Sequence, residues 1–239
     1  MEKIILSVFV PCFNEENNIT NTLNNIKEGI RNINYEILVV DDGSKDNTVE
    51  MIEKFKENNS NINIKIFRNN KNKGIGFNYY ATAEKALGKY YMFVAGDDSL
   101  PPDEIKKTVD NIGKANMILV YFVDKRGILR RTASKIFVII INLITINNLK
   151  YYNGSNIYLL DDVKLCRERG SGFGFQAELI TEQLRKKKTY VEIEVKPYLK
   201  SAETSEALKL HSILNVIKSI TSIFLNQIFY LIKKILKIN

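Results

Sequence analysis

The chain has 239 residues, of which 45% are hydrophobic and 26% charged, and a formal net charge of +8. That length carries one sizeable core with an appendage, and the composition excludes a disordered or fibrous chain. A single histidine, His211, and two distant cysteines, Cys12 and Cys166, with no CxxC pair, exclude a Cys/His zinc centre and point to reduced, buried thiols.

In chain order, residues 4–10 form an apolar strand closing at Pro11, and the run continues directly into a turn motif. The N-terminus therefore reads as a first strand and not as a signal peptide. Residues 15–30 predict a helix with Ile19, Leu23, Ile26 and Ile30 on one face. Residues 36–40 are a continuously apolar strand, as burial on both faces requires. A helix over 46–57, a strand over 62–67, a helix over 76–87 and a strand over 90–94 follow. Pro101 and Pro102 open a helix to about 112, and 117–123 is the next strand. Strand alternating with helix implies a mostly parallel sheet covered on both sides, with ligands beyond the carboxyl ends of the strands.

The later part changes character. RRTASKIFVIIINLITI, residues 130–146, has a basic start and a dense apolar run interrupted by Asn142. Residues 171–188 predict a helix and 190–195 a strand. Residues 208–236 predict a long helix with an apolar stripe at Ile213, Ile217, Ile220, Phe224, Ile228, Leu231 and Ile235; Asn215, Lys218, Ser222, Asn226, Lys233 and Lys237 fall opposite. No apolar stretch of 18 residues is free of charge, so both helices are expected to lie in a membrane interface and not to span it. A buried helix with a solvated basic start, and a C-terminal helix packed on the sheet, are the plainer alternatives.

The segments after the strands are polar: PCFNEE, DDGSKDNT, RNNKNKGIG and AGDDSLPP. Asp41 and Asp42 end the second strand, where one acid can accept from a base or ribose while the other braces the loop; Asp-Asp-Gly-Ser is equally good turn chemistry. Asp97 and Asp98 follow the fourth strand, where paired carboxylates suit a divalent cation on a diphosphate, or acids near a helix dipole. Lys73 with Gly74 and Gly76 offers a cation and flexible backbone, or a turn into the next helix. The positive charge suits a phosphorylated substrate or an anionic lipid. It lacks the interleaved aromatics of a nucleic-acid surface.

Taken together, VPCFNEENNI (10–19), VVDDGSKDNT (39–48), NKGIG (72–76) and AGDDSLPPDEI (95–105) resemble the inverting family-2 glycosyltransferases over roughly the first 110 residues. The resemblance implies the GT-A fold, an α/β, Rossmann-like, mostly parallel sheet with helices on both faces, here with C-terminal amphipathic membrane-interface helices. It implies that Pro11, Phe13, Glu15, Asp41, Asp42, Lys73 and Gly74 bind a nucleotide-sugar, with Asp42 on the base. Asp97, with Asp98, would hold Mg or Mn. Gly96-Asp97-Asp98 stands where the family carries an aspartate-any-aspartate signature.

The second half is similar to the dolichyl- and polyprenyl-phosphate sugar synthases. There the likeness implies that Arg130 and Ser134, with Arg126, Arg131 and Lys200, hold an acceptor phosphate, and that Glu178 in GFGFQAELI is a late catalytic carboxylate. Residues 1–125 are then the nucleotide-sugar half, and 126–206 an acceptor side that completes the same domain and carries an interface helix at 130–147. Residues 207–239 are a C-terminal amphipathic helix. The expected activity is inverting transfer from a UDP- or GDP-sugar to polyprenyl phosphate at the cytoplasmic face of a membrane, in cell-surface glycan synthesis. The alternatives are transfer to a saccharide hydroxyl of a surface glycan, or a catalytically weak scaffold of a membrane glycosylation complex.

Overall fold

The computed structural model describes residues 3–122, 128–170, 172, 174–198 and 210–236, and of residues 128–130 and 210–213 the backbone alone. Arg126 and Lys200 lie outside the described residues, as does the side chain of Arg130.

The elements run β1 (Leu6–Cys12), α1 (Ile19–Gly29), β2 (Tyr35–Asp41), α2 (Thr48–Asn58), β3 (Asn63–Arg68), α3 (Ile75–Ala83), β4 (Tyr90–Phe93), α4 (Pro102–Val109), β5 (Met117–Phe122), α5 (Ile128–Thr145), β6 (Ile157–Leu159), α6 (Leu160–Lys164), α7 (Phe175–Arg185), β7 (Tyr190–Val195) and α8 (Leu210–Leu236). They build a seven-stranded sheet in the order β3-β2-β1-β4-β6-β5-β7. All neighbours are parallel except β6, which runs antiparallel to both β4 and β5. This is the expected mostly parallel sheet with one reversed strand added. β6 and the five-residue α6 were not anticipated, because three residues of strand give no period to read.

Successive side chains along a strand point to opposite faces, and both faces are buried here. Leu6, Val8 and Val10 of β1 pack with Ile37 and Val39 of β2 beneath α1, α2 and α4. Phe9, Leu38, Val40, Tyr91 and Phe93 pack on the other face with Tyr79 and Tyr80 of α3, Ile141 of α5, Phe175 and Leu179 of α7 and Ile223 of α8. That two-sided burial is why the strands read as unbroken apolar runs. Asn142, the interruption in α5, is structural: its amide donates to Leu149 O (2.9 Å) while its carbonyl accepts from Tyr152 Oη (2.7 Å), closing the turn after the helix.

α8 is inverted relative to a soluble surface helix. Its inward face carries buried Ser219, Ile223 and Gln227, whereas Leu225, Phe229 and Ile235 are 59%, 60% and 78% exposed. The apolar stripe therefore faces mostly outward, with Ile217, Phe224, Ile228, Leu231 and Ile235 all exposed, while its Ile220 packs with the buried Ile223 against the core. Leu214–Leu236 is long and apolar enough to cross a membrane by length and composition. Gly172 and Gly174 explain how the polar side approaches so closely. A Cβ on Gly172 would lie 2.7 Å from Asn215 Cβ, and one on Gly174 2.3 Å from Ser219 Oγ.

Candidate functional site

Parallel pairing aligns Cys12 with Asp41 and Asp41 with Arg68, so the loops leaving β1, β2 and β3 emerge side by side. The segment after β4 joins them through Gly96, whose N–H donates to Pro11 O at 3.0 Å. A side chain there would stand 2.8 Å from that same oxygen, so the close approach of the two loops requires glycine.

The first two loops interlock. Asn14, at φ 56°, accepts from Lys45 N (2.8 Å) through its Oδ1 and donates its own N–H to Ser44 Oγ (2.9 Å). Asparagine tolerates that left-handed geometry better than most residues. Glu15 N donates to Thr48 Oγ1 (2.7 Å), and Asn47 donates from both N and Nδ2 to Glu16 Oε2 at 3.0 Å. Pro11 is partly covered and Phe13 exposed at the mouth of this pair. Residues 15–18 are spent on these contacts, and α1 begins at Ile19 instead of the anticipated Glu15.

Both acids of the Asp41-Asp42 pair are buried, and they do different work. Asp41 Oδ1 accepts from Ser44 N at 3.1 Å, the turn chemistry weighed above. Asp42 reaches across to the third loop: Oδ1 accepts from Lys73 N (2.9 Å) and Asn69 Nδ2 (2.8 Å), and Oδ2 from Gly74 N (3.0 Å). Asp42 is thus the clamp of the Lys73-Gly74 turn, the bracing role weighed for one acid of the pair, where the resemblance implies a contact to the base. Gly74 sits at φ 88°, where a β-carbon is strained, and starts α3. The Lys73 ammonium stands 5.2 Å from the Phe77 ring. Cys12, directly beneath, is buried, and burial together with Asp41 pushes its thiol far up, so it stays protonated.

The Asp97-Asp98 pair divides likewise. Asp98, at φ 53°, turns onto α1, where Asn25 Nδ2 donates to Oδ1 (2.8 Å) and Asn21 Nδ2 to Oδ2 (3.3 Å). Its N–H donates to Thr22 Oγ1 at 2.8 Å. Among the described residues Asp97 accepts only from Ser99 N, at 3.2 Å on Oδ1, and it is partly exposed. Its Oδ2 has no partner among the described residues. Among those residues no group of three or more His, Cys, Asp and Glu could cage a metal. One open carboxylate nevertheless fits a hard cation that draws its remaining ligands from phosphates and water. Asn21 and Asn25 are spaced i, i+4, the one signal by which they could have been found.

Glu178 stands in the first turn of α7, on the helix where the resemblance puts a late carboxylate. It is buried beneath α8, with Ser219 and the Gly170 backbone as its hydrogen-bond partners. Burial raises its carboxyl above the ordinary glutamate range, with Glu168 adding repulsion. The folded state then binds the proton more tightly than the unfolded chain, so stability falls as pH rises from the ordinary glutamate value toward the raised one. Glu178→Gln is expected to flatten that slope and raise the melting temperature at neutral pH. Thermal melts from pH 4 to 8 in which wild type and variant keep the same slope would refute this.

Arg131 and Ser134 face one groove on α5, 250 Å³ in volume, whose walls include Phe122, Val138 and Lys150. Ile139 and Leu143 of the same helix are exposed, and α5 packs beside α8. Tyr198 N donates to Ser99 O at 2.9 Å, tying the chain after β7 to the Asp97 loop.

Residues 7–162 match a family model described as glycosyl transferase family 2. A dolichol-phosphate mannosyltransferase of Pyrococcus furiosus is 31% identical over 115 residues, 48% of this chain and 32% of that protein. A dolichyl-phosphate beta-glucosyltransferase of Dictyostelium discoideum is 27% identical over 122 residues, 48% of this chain and 37% of its own. The matched stretch thus spans about a third of either relative. Among solved structures, Staphylococcus aureus TarS in complex with UDP-GlcNAc superimposes with a TM-score of 0.65 at 20% identity, covering 93% of this chain and 67% of that one. Glucosyl-3-phosphoglycerate synthase from Mycobacterium tuberculosis, in complex with Mn²⁺, UDP and glucosyl-3-phosphoglycerate, gives a TM-score of 0.70 at 12% identity, over 94% of this chain and 80% of that one.

Proposed function

The chain belongs to glycosyl transferase family 2, and from that premise we propose that it transfers a sugar from a UDP- or GDP-sugar to polyprenyl phosphate, with inversion, at the cytoplasmic face of a membrane. The observation that carries the acceptor assignment is the groove at Arg131 and Ser134. It joins a cationic end to apolar walls on a helix whose outer side is exposed and apolar. An acceptor with an anionic head and a hydrocarbon tail matches both.

In this reading Pro11, Phe13 and Glu15 line the base and ribose, and the Lys73-Gly74 turn, held by Asp42, meets the diphosphate. Asp97 would hold Mg or Mn on that diphosphate, and a cation so held supplies charge neutralisation as the leaving group departs. Arg131 and Ser134, with Arg126, Arg130 and Lys200 of the same basic set, hold the acceptor phosphate. One of its oxygens forms the new bond to the anomeric carbon as the bond to the donor diphosphate breaks on the opposite side. The phosphate arrives already ionised, so no side chain has to remove a proton. This agrees with a Glu178 that is buried and bonded to Ser219 and the Gly170 backbone.

The outward apolar faces of α5 and α8 support membrane association, and the free, buried Cys12 and Cys166 suit a reducing compartment. Incubation with labelled donors and membrane lipid is expected to give an organic-soluble product that releases its sugar in mild acid. A stable, water-soluble glycoside would move the acceptor to a saccharide hydroxyl. Nucleotide binding without transfer from any donor would leave only a scaffold.

A further inference from the structure

The lipid-phosphate reading assigns Arg131 and Ser134, but the groove has a second wall. Arg131, Ser134 and Lys135 stand at i, i+3 and i+4 on one face of α5. Lys150, from the segment between α5 and β6, lines the same groove. Cations from two separate elements converge on one small cavity.

Lys150 is held in place without being neutralised. Its ammonium donates to Tyr121 Oη at 3.1 Å and lies 4.2 Å from the centre of that ring. Its backbone N–H donates to Glu192 Oε1 at 2.7 Å, fixing the segment on β7. Tyr121 Oη in turn donates to Glu194 Oε2 at 3.4 Å. The phenol hydrogen bond, with Glu192 and Glu194 nearby, raises the Lys150 ammonium above the usual lysine range, so it stays charged. None of Arg131, Lys135 and Lys150 forms a salt bridge among the described residues. Arg68, Arg169 and Arg185, by contrast, are each paired with a glutamate. Of three ammonium hydrogens Lys150 commits one to Tyr121, which leaves two without a partner among the described residues.

We propose that Lys150, with Lys135, completes a two-walled cradle for a phosphate monoester, and that Lys150 is the residue selecting a phosphorylated acceptor over the corresponding alcohol. Arg131 and Ser134 alone would grip one side of the phosphate. Lys150 reaches the same groove from a different element, so the doubly charged head would meet cations from two segments while its hydrocarbon runs along Phe122 and Val138. This rests on the lipid-phosphate reading and adds to it a residue from outside the helix.

The test is direct binding, in detergent, of a short-chain isoprenyl monophosphate and of the matching isoprenol, by calorimetry. Lys150→Gln is expected to weaken the monophosphate about tenfold, leave the alcohol unchanged, and be rescued in part by Lys150→Arg. Tyr121→Phe, which removes only the hydroxyl that positions the ammonium, is expected to give a smaller loss in the same direction. Melting temperature and donor-nucleotide binding report folding in every variant. Should Lys150→Gln bind the monophosphate as wild type does while Arg131→Gln loses it, the role of Lys150 is overturned and the lipid-phosphate reading stands. Should wild type not distinguish monophosphate from alcohol, both fail.

Discussion

Asp97→Asn is expected to lower the turnover of sugar transfer by about a hundredfold to a thousandfold with little change in melting temperature. The two halves of that expectation rest on different observations. Among the described residues the carboxylate has one bond, from Ser99 N at 3.2 Å, and an asparagine carbonyl can keep it. Folding therefore loses little. Oδ2 is open, and the amide that replaces it carries no charge for a divalent cation. Asp98 supplies the control. Both its oxygens are taken by Asn21 and Asn25, so Asp98→Asn is expected to disturb the seat of the loop on α1 and to show first as lost stability. Initial rates across a Mn²⁺ titration, with melting curves for both variants, separate the two. Normal turnover in Asp97→Asn beside a dead but stable Asp98→Asn would exchange their roles.

Glu36→Ala is expected to destabilise the fold by about 3–5 kcal/mol, lowering the melting temperature by roughly 10 °C. Glu36 is fully buried on β2 and gathers three donors: Ser7 Oγ and Leu87 N on Oε1, each at 2.7 Å, and Lys65 Nζ on Oε2 at 2.9 Å. Ser7 Oγ in turn accepts from Gly88 N at 2.9 Å. One carboxylate thus pins the α3–β4 turn to the start of β1 and β2. Lys65 is partly exposed and regains water when the carboxylate is gone, but the Ser7 hydroxyl is left buried, and the Leu87 amide partly buried, without that acceptor. Glu36→Gln, which keeps the shape and one acceptor oxygen, is expected to cost less. Urea denaturation placing the alanine variant within about 1 kcal/mol of wild type would show that water enters and satisfies those groups.

Much of the sheet was legible because its strands are buried on both faces and end in polar, glycine-bearing loops. Leu6–Cys12 and Tyr35–Asp41 announce themselves as apolar runs stopped by Phe13-Asn14 and Asp42-Gly43. β6 was not legible, since its three residues pair only through long-range register with β4 and β5. For α8 the helical period showed which residues share a stripe, but period carries no information about which stripe faces the protein. Here the polar one does, because Gly172 and Gly174 leave room for Asn215 and Ser219. The acid loops were found as pairs, but the division of labour within each pair was not. It depends on Asn21, Asn25 and the Lys73-Gly74 backbone, which come near only through tertiary structure. Lys150 escaped notice for the same reason: it is 19 residues from Arg131, and only the tertiary structure puts both in the lining of one groove.

The glycine notch under α8 also fixes an orientation. A helix whose Asn215 and Ser219 must drop into gaps left by Gly172 and Gly174 has one rotational setting and one axial register on the protein. On a lipid surface such an anchor behaves as a keyed shaft and not as a tether. With α8 in a membrane, the sheet domain would ride at the roll angle that these contacts set.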